Sequence, residues 1–364
     1  MELNGNGDGA KMMEFTVVRD GEVVSEPGQD LASPAGFLRS LGSGAYTAAG
    51  VSRRRSRRRD DGLSRMEFWL PLWDEHVHRL GHSLTRLFPD SDQVKDGDVV
   101  REAARASVSA LLRHEMNREG SREETTNHDV GAAEPEEGFT HMVTVALRPG
   151  PGPSSPLACF AHLCPLRHES RATTASVLLS EFRRISPEAK SCAWATDRRP
   201  LEVDLARRGA MLAGGLSEVV MCTERGMLLE GTKSNVFVVV EDDRGGGGLN
   251  PKRRLLTPPL SSGILPGLAR AAVIATAAAL GIAVEERQVD SKGCTGWSEC
   301  FLTSAVKMAQ PVAAVAVSVG GSGAEVVADF AGRAPGPVTE AIRGALWDRV
   351  LRGEGGRLFG PPGW

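Results

Sequence analysis

Three short stretches carry residue types and spacings suited to chemistry. The first is "EGTKSN", Glu230 to Asn235, in front of the strand-like run "VFVVV". It sets a carboxylate, a glycine, two hydroxyls, a lysine and an asparagine at the mouth of a buried strand. A plain hairpin entry needs only the glycine and the asparagine. The second is "GILPGLARAAV", in which Gly267 opens an Ala-rich helix. The first amides of a helix have no internal partner, and with the dipole they form an anion site. Capping alone also explains a Pro-Gly start. The third is "ECFLTSAVKMAQPV", a strand that ends in the hydroxyls of Thr303 and Ser304.

Together these segments could hold a planar heteroaromatic phosphate. The helix start takes the phosphate and the hydroxyls add to it. A carboxylate beside a ring nitrogen keeps that nitrogen protonated. Pyridoxal 5'-phosphate needs this environment, because its protonated ring acts as an electron sink.

Bulk properties bound the alternatives. The chain has 364 residues, 41 % hydrophobic and 24 % charged, as in ordinary globular proteins of one large or two smaller domains. A net charge of −3 gives no global field toward nucleic acid, and no nucleic-acid partner is expected. No apolar run approaches the roughly 20 residues that span a bilayer, and no membrane role is expected. "MELNGNGDGAKMMEF" reads as neither signal nor transit peptide, so the expected location is the cytoplasm. The six cysteines form no C-x-x-C pair and read as reduced thiols. Cys159, His162, Cys164 and His168 gather in "CFAHLCPLRH", but their spacing fits no common zinc pattern, and no metal is expected. The run Arg53–Arg59 reads as a solvated hairpin loop, with RNA binding or nuclear import as the alternative.

The elements that must position these groups follow from local pattern. Residues 1–12 read as disordered. "MEFTVVRDGEVV" reads as two strands about a D-G turn. "GSGAYTAAGV" and "RMEFWLPL" read as strands, and Trp73–Phe88 as a helix. "DGDVVREAARASVSALLRHEMN" predicts a second helix, followed by a polar surface insertion over 117–138. "HMVTVALRPG" resumes as a strand. Further on, Gly245–Gly248 reads as a hairpin tip, "DLARRGAMLAGGLSE" as a loop, and "GPVTEAIRGALWDRVL" as a late helix. The chain divides into an α/β domain over 13–165 and a larger one over 166–364.

The run "EGTKSNVFVV…LLTPPLSSGILPGLAR…LGIAVEE…ECFLTSAVKMAQPV" resembles the class IV aminotransferases, the fold-type IV group of pyridoxal-phosphate enzymes. "GSGAYTAAGV" followed by "HVHRLGHS" extends the resemblance into the first half. It implies a two-domain fold of mixed α and β structure like that of D-amino-acid aminotransferases, with the cofactor at the domain interface, and a homodimer. It assigns Glu230 to the pyridine nitrogen and Arg79, of the His76, Arg79, Ser83 series, to the phosphate. Asn235, Gly267, Leu268, Ala269 and Ser304 complete the cofactor set.

The family also implies a lysine that forms a Schiff base and moves the substrate proton. Lys190 is the only lysine between Arg167 and Glu230, and it precedes Glu230 by 40 positions. Where some members carry a tyrosine shortly after the lysine, this chain has Trp194. "WATDRRPLE" is similar to a plant-type branch of the family. Tyr46, the only tyrosine, falls where the family places a pocket aromatic, and a buried core tyrosine is the competing reading. Gly50 stands where related sequences often carry an arginine. The implied reaction moves an amino group between an amino acid and a 2-oxo acid. An aminodeoxychorismate-lyase-like reaction and a non-catalytic binding protein are the alternatives.

Overall fold

The computed structural model describes residues 15–24, 29–55, 66–123, 138–152, 155–166, 173–212, 214–242, 252–352 and 356–359. The expected disorder at 1–12, the Gly245–Gly248 tip and most of the Arg53–Arg59 run lie outside them.

The first half contains β1 (Thr16–Arg19), β2 (Glu22–Val23), α1 (Pro34–Leu41), β3 (Ala45–Arg55), β4 (Met66–Pro71), α2 (Trp73–Leu87), α3 (Gly97–Glu123), β5 (His141–Gly152) and β6 (Ser155–Pro165). The second contains β7 (Ala175–Glu181), α4 (Trp194–Asp197), α5 (Arg199–Gly209), β8 (Glu218–Cys222), β9 (Leu228–Gly231), β10 (Asn235–Asp242), β11 (Lys252–Thr257), α6 (Leu268–Ala279), β12 (Ala283–Glu286), β13 (Glu299–Ser304), β14 (Met308–Val319), β15 (Gly323–Asp329), α7 (Pro337–Arg352) and β16 (Gly356–Phe359).

Among the described residues, one seven-stranded sheet runs β16-β4-β3-β5-β6-β1-β2. A nine-stranded sheet runs β12-β11-β10-β13-β14-β7-β8-β9, with β15 added to β14. The D-G turn forms as predicted: Asp20 and Gly21 both have positive φ, which matches the twist of a tight hairpin. The last strand, β16, returns to β4 and ties the end of the chain to the first sheet.

Two helices depart from the sequence reading. Of the insertion expected over 117–138, residues 117–123 are helical, because α3 continues to Glu123. Its extra turns are rich in Arg and Glu, which are good helix formers even without an apolar face. The loop expected from Asp204 is helical through Gly209. Asp204 pairs there with both Arg207 and Arg208, at i+3 and i+4.

The first sheet packs Val51, Phe68 and Leu70 against Trp73, Leu80 and Leu84 of α2 and Leu111 and Leu112 of α3. On the second sheet, Phe237 and Phe301 stack at 5.1 Å under Val273 of α6. Phe139, from the first half, joins this cluster and meets Trp347 of α7 at 4.9 Å. That contact explains Gly50. A Cβ there would lie 2.3 Å from the Phe139 ring, so no side chain fits.

Candidate active site

A cavity of about 410 Å³ takes walls from both halves of the chain. Tyr46, Arg79, Lys190, Glu230, Asn235, Gly267, Leu268, Ala269 and Ser304 all line it. Tyr46 and Ser304, far apart in the sequence, therefore line one cavity.

Helix α2 supplies one side. His76, Arg79 and Ser83 are spaced i, i+3, i+7, so they form one buried stripe. Thr47 Oγ1, on β3, lies 2.6 Å from His76 Nδ1 and accepts from Arg79 at 2.9 Å. Ser83 Oγ accepts from the Lys190 amide at 3.1 Å. The stripe thus anchors both the arginine and the lysine-bearing turn. Burial and the neighbouring Arg79 charge hold His76 far below the usual imidazole range, so it is neutral. Burial brings Arg79 down to about 10, which leaves it charged at neutral pH.

Lys190 sits on a turn stitched to β3. Its carbonyl accepts from the Tyr46 amide at 2.8 Å, and Ala45 bridges to Ser191. The ammonium lies 4.8 Å above the Tyr46 ring. Burial lowers its pKa to about 8; Tyr46 opposes that, while Arg79, Arg184 and Arg198 add to it. Tyr46 is 5 % exposed, so it is a buried residue and a wall of the cavity at once. Burial raises its phenol, but the charges of Lys190, Arg198 and Arg184 outweigh this and leave it below its ordinary value.

Glu230 lies one residue before the end of β9, 3 % exposed. Its Oε1 accepts from Arg184 at 3.2 Å, and its Oε2 from the Leu265 amide at 3.0 Å and Asn235 Nδ2 at 3.4 Å. Burial raises its carboxyl above the usual range, and Arg184, the Leu265 amide and Lys190 pull it back. Arg184 is itself gripped. It donates to the Ala189 carbonyl at 3.0 Å and lies 4.8 Å over the Trp194 ring. Trp194, in the place of the family tyrosine, donates its indole N–H to the Thr232 carbonyl at 2.8 Å. It serves as a platform for Arg184.

Asn235 acts as a brace. Its amide donates to the Leu265 carbonyl at 3.0 Å, and its Oδ1 would lie 2.0 Å from any Cβ at position 267. Gly267 therefore allows this close approach and caps α6 with extended backbone, without any side-chain cap. Of the two hydroxyls on β13, Ser304 Oγ accepts from the Lys307 amide at 3.2 Å, whereas the buried Thr303 Oγ1 has no partner.

These features fit pyridoxal 5'-phosphate. The buried Nε of Arg79 and Oγ1 of Thr303 lack partners, and the start of α6 is uncapped. Unsatisfied buried donors of this kind are costly, and an anion in the cavity would satisfy them. Glu230 would supply the carboxylate and Lys190 the amine. Sequence reasoning missed Arg184, Thr47 and Arg198. Arg184 meets Glu230 across 46 positions, and "EFRRIS" carries no signal of that pairing.

No group of side chains among the described residues could hold a metal ion. Cys159 and Cys164 are free, buried thiols, and His162 donates to the Leu31 carbonyl at 2.9 Å between Phe15 and Phe37. His168 lies outside the described residues. No helix among the described residues is long and apolar enough to cross a membrane.

Comparison with known proteins agrees with the fold. A branched-chain amino acid aminotransferase from Thermobaculum terrenum, solved in its PLP form, superposes with a TM-score of 0.60 at 17 % identity, over 96 % of this chain and 100 % of that one. A hypothetical aminotransferase from Mycobacterium tuberculosis, in a PLP-bound form, gives 0.56 at 18 % identity, over 92 % and 98 %. A Thermotoga maritima protein described as a probable branched-chain-amino-acid aminotransferase is 35 % identical over 143 residues. That match covers 38 % of this chain and 45 % of the relative, less than half of its length. The family model for amino-transferase class IV matches residues 66–315, more than half of the sequence. The chain belongs to the class IV aminotransferase family.

Proposed function

We propose that the protein is a pyridoxal-phosphate-dependent aminotransferase that moves an amino group between an amino acid and a 2-oxo acid. One observation carries this reading: Lys190 and Glu230 line the same cavity as Arg79 and the uncapped start of α6. When bound, the cofactor supplies an electron sink for the carbanion chemistry at the substrate Cα.

The chain's own residues do the rest. Arg79, the Leu268 and Ala269 amides, Thr303 and Ser304 would hold the phosphate. Glu230, kept in place by Arg184, would face the ring nitrogen and favour its protonated form. Lys190 moves the proton at the substrate Cα. Its pKa of about 8 lies close to neutral pH, where a general base and its conjugate acid are both available. The Tyr46 ring under its ammonium restricts where the amine can reach. A lyase reaction uses the same set, since it begins at the same carbanion.

The proposal includes two domains, 13–165 and 166–364, with the cofactor between them. Walls drawn from Tyr46, Arg79 and Met142 on one side and Lys190, Glu230 and Leu268 on the other support this. It also includes a cytoplasmic location and a homodimer. The likeness to fold-type IV enzymes is what supports the second copy. Light scattering is expected to give about twice 38.7 kDa, and a single-copy mass would remove the dimer.

The test is cofactor capture. Pyridoxal phosphate added to the purified protein is expected to give a visible absorption band, and borohydride is expected to fix the cofactor on Lys190. Only the neutral amine attacks, so the capture rate should rise as pH rises and level off above about 8. A rate still climbing at pH 10 would place the lysine outside this environment. No band at all would leave a binding protein in place of an enzyme.

A further inference from the structure

Arg198 is a charged group in the cavity that the proposed mechanism leaves unused. It stands at the elbow between α4 and α5, with its amide donating to the Trp194 carbonyl at 3.1 Å. The residue is 5 % exposed and lines the cavity. Tyr46 and Lys190 line the same cavity, at the reacting end of the proposed site.

A buried guanidinium needs an anion, because removing it from water is costly. Among the described residues, the one anion it meets is Glu202, whose Oε1 accepts from Nε at 3.0 Å. That carboxylate is shared, since Lys233 Nζ approaches the same oxygen at 3.5 Å. It is also the more exposed partner, at 27 % against 6 % for Arg198. The two terminal amines of Arg198 have no hydrogen-bond partner among the described residues. They form the flat fork that matches a carboxylate with two parallel bonds. Arg79 already faces the phosphate end through Thr47 and the α2 stripe, and Arg184 is committed to Glu230. Arg198 is thus the arginine of this cavity wall left open to a substrate.

We propose that Arg198 binds a carboxylate of the substrate, with Glu202 holding the guanidinium edge-on so that its two terminal amines face the cavity. This deepens the aminotransferase reading and rests on it. A second carboxylate on the substrate makes the enzyme selective for dicarboxylic amino and oxo acids. An α-carboxylate makes Arg198 a general anchor for amino acids.

The experiment is calorimetric titration of the pyridoxal-phosphate-loaded protein with glutarate and with butyrate. Wild type, Arg198→Gln, Arg198→Lys and Glu202→Gln are compared, with melting temperature and cofactor absorbance as folding controls. Arg198→Gln is expected to weaken glutarate binding by about 10- to 100-fold, as charge-assisted hydrogen bonds are lost. Arg198→Lys should recover part of it, since charge remains and the fork does not. Glu202→Gln should tighten glutarate several-fold by removing the rival anion. Loss for glutarate alone assigns Arg198 to a second carboxylate. Equal loss for butyrate assigns it to the α-carboxylate. Unchanged affinity for both acids in a folded Arg198→Gln protein overturns the proposal. So does an absence of tightening in Glu202→Gln, should Arg198→Gln fail to fold. Arg198-dependent glutarate binding by a protein in which borohydride fixes no cofactor would sink the enzyme reading and leave this one standing.

Discussion

Replacing Lys190 with alanine is expected to lower amino transfer by about 10²- to 10⁴-fold, the range that a positioned proton-transfer group contributes. Borohydride should then fix no cofactor on the protein. The fold should survive the change. The contacts that anchor this turn are made by the backbone: the Lys190 amide to Ser83, and its carbonyl to the Tyr46 amide. Alanine keeps both. The side chain gives up only its place over the Tyr46 ring. Steady-state rates with several amino donors, alongside a thermal melt, check this. A loss below tenfold, or a label that moves to Lys233 or Lys307, would take the role away from Lys190.

Replacing Glu230 with alanine is expected to cost about 3–5 kcal/mol of stability, the range for breaking one side of a buried ion pair. Three donors lose their acceptor at once: Arg184, the Leu265 amide and Asn235 Nδ2. Arg184 would keep only the Ala189 carbonyl and the Trp194 face, with a side chain 6 % exposed. Glu230→Gln should cost less, because its carbonyl still accepts from the Leu265 amide, yet it cannot hold the ring nitrogen protonated. Removing both charges, as Glu230→Leu with Arg184→Met, should recover much of the stability and none of the activity. Urea denaturation of the cofactor-free proteins separates these cases. A loss under about 1 kcal/mol in Glu230→Ala would mean that the pair is open to water, against its burial.

The two replacements probe different parts of one design. Lys190 needs its charge to be inexpensive to lose, and three arginines and burial bring that about. Burial raises the Glu230 carboxyl, and Arg184, the Leu265 amide and Lys190 oppose that rise. Arg184 thus acts on both groups, lowering the lysine and opposing the rise of the carboxylate.

Much of this was legible in the sequence because it is local. The D-G hairpin depends on two adjacent residues that tolerate positive φ. The α2 stripe depends on the helical period, and the start and stop of α6 depend on Gly267 and on Gly281 with its left-handed φ of 72°. The polar turn ahead of β10 marked a candidate site because a hairpin alone does not need those side chains, and the turn does line the cavity. At the end of α3 and along α5 the polar composition reads as loop, yet Arg and Glu sustain a helix well.

What the sequence by itself determined, then, is the order of elements, the family and the residues able to do chemistry. Only the tertiary structure decided which of them meet. The grip of Trp194 on Arg184, the empty place at Gly50 that admits Phe139, and the open fork of Arg198 each depend on residues brought together by packing. Side-chain partners across two sheets are set by how apolar faces close on one another. That closure is a property of the whole chain, and no short window of sequence encodes it.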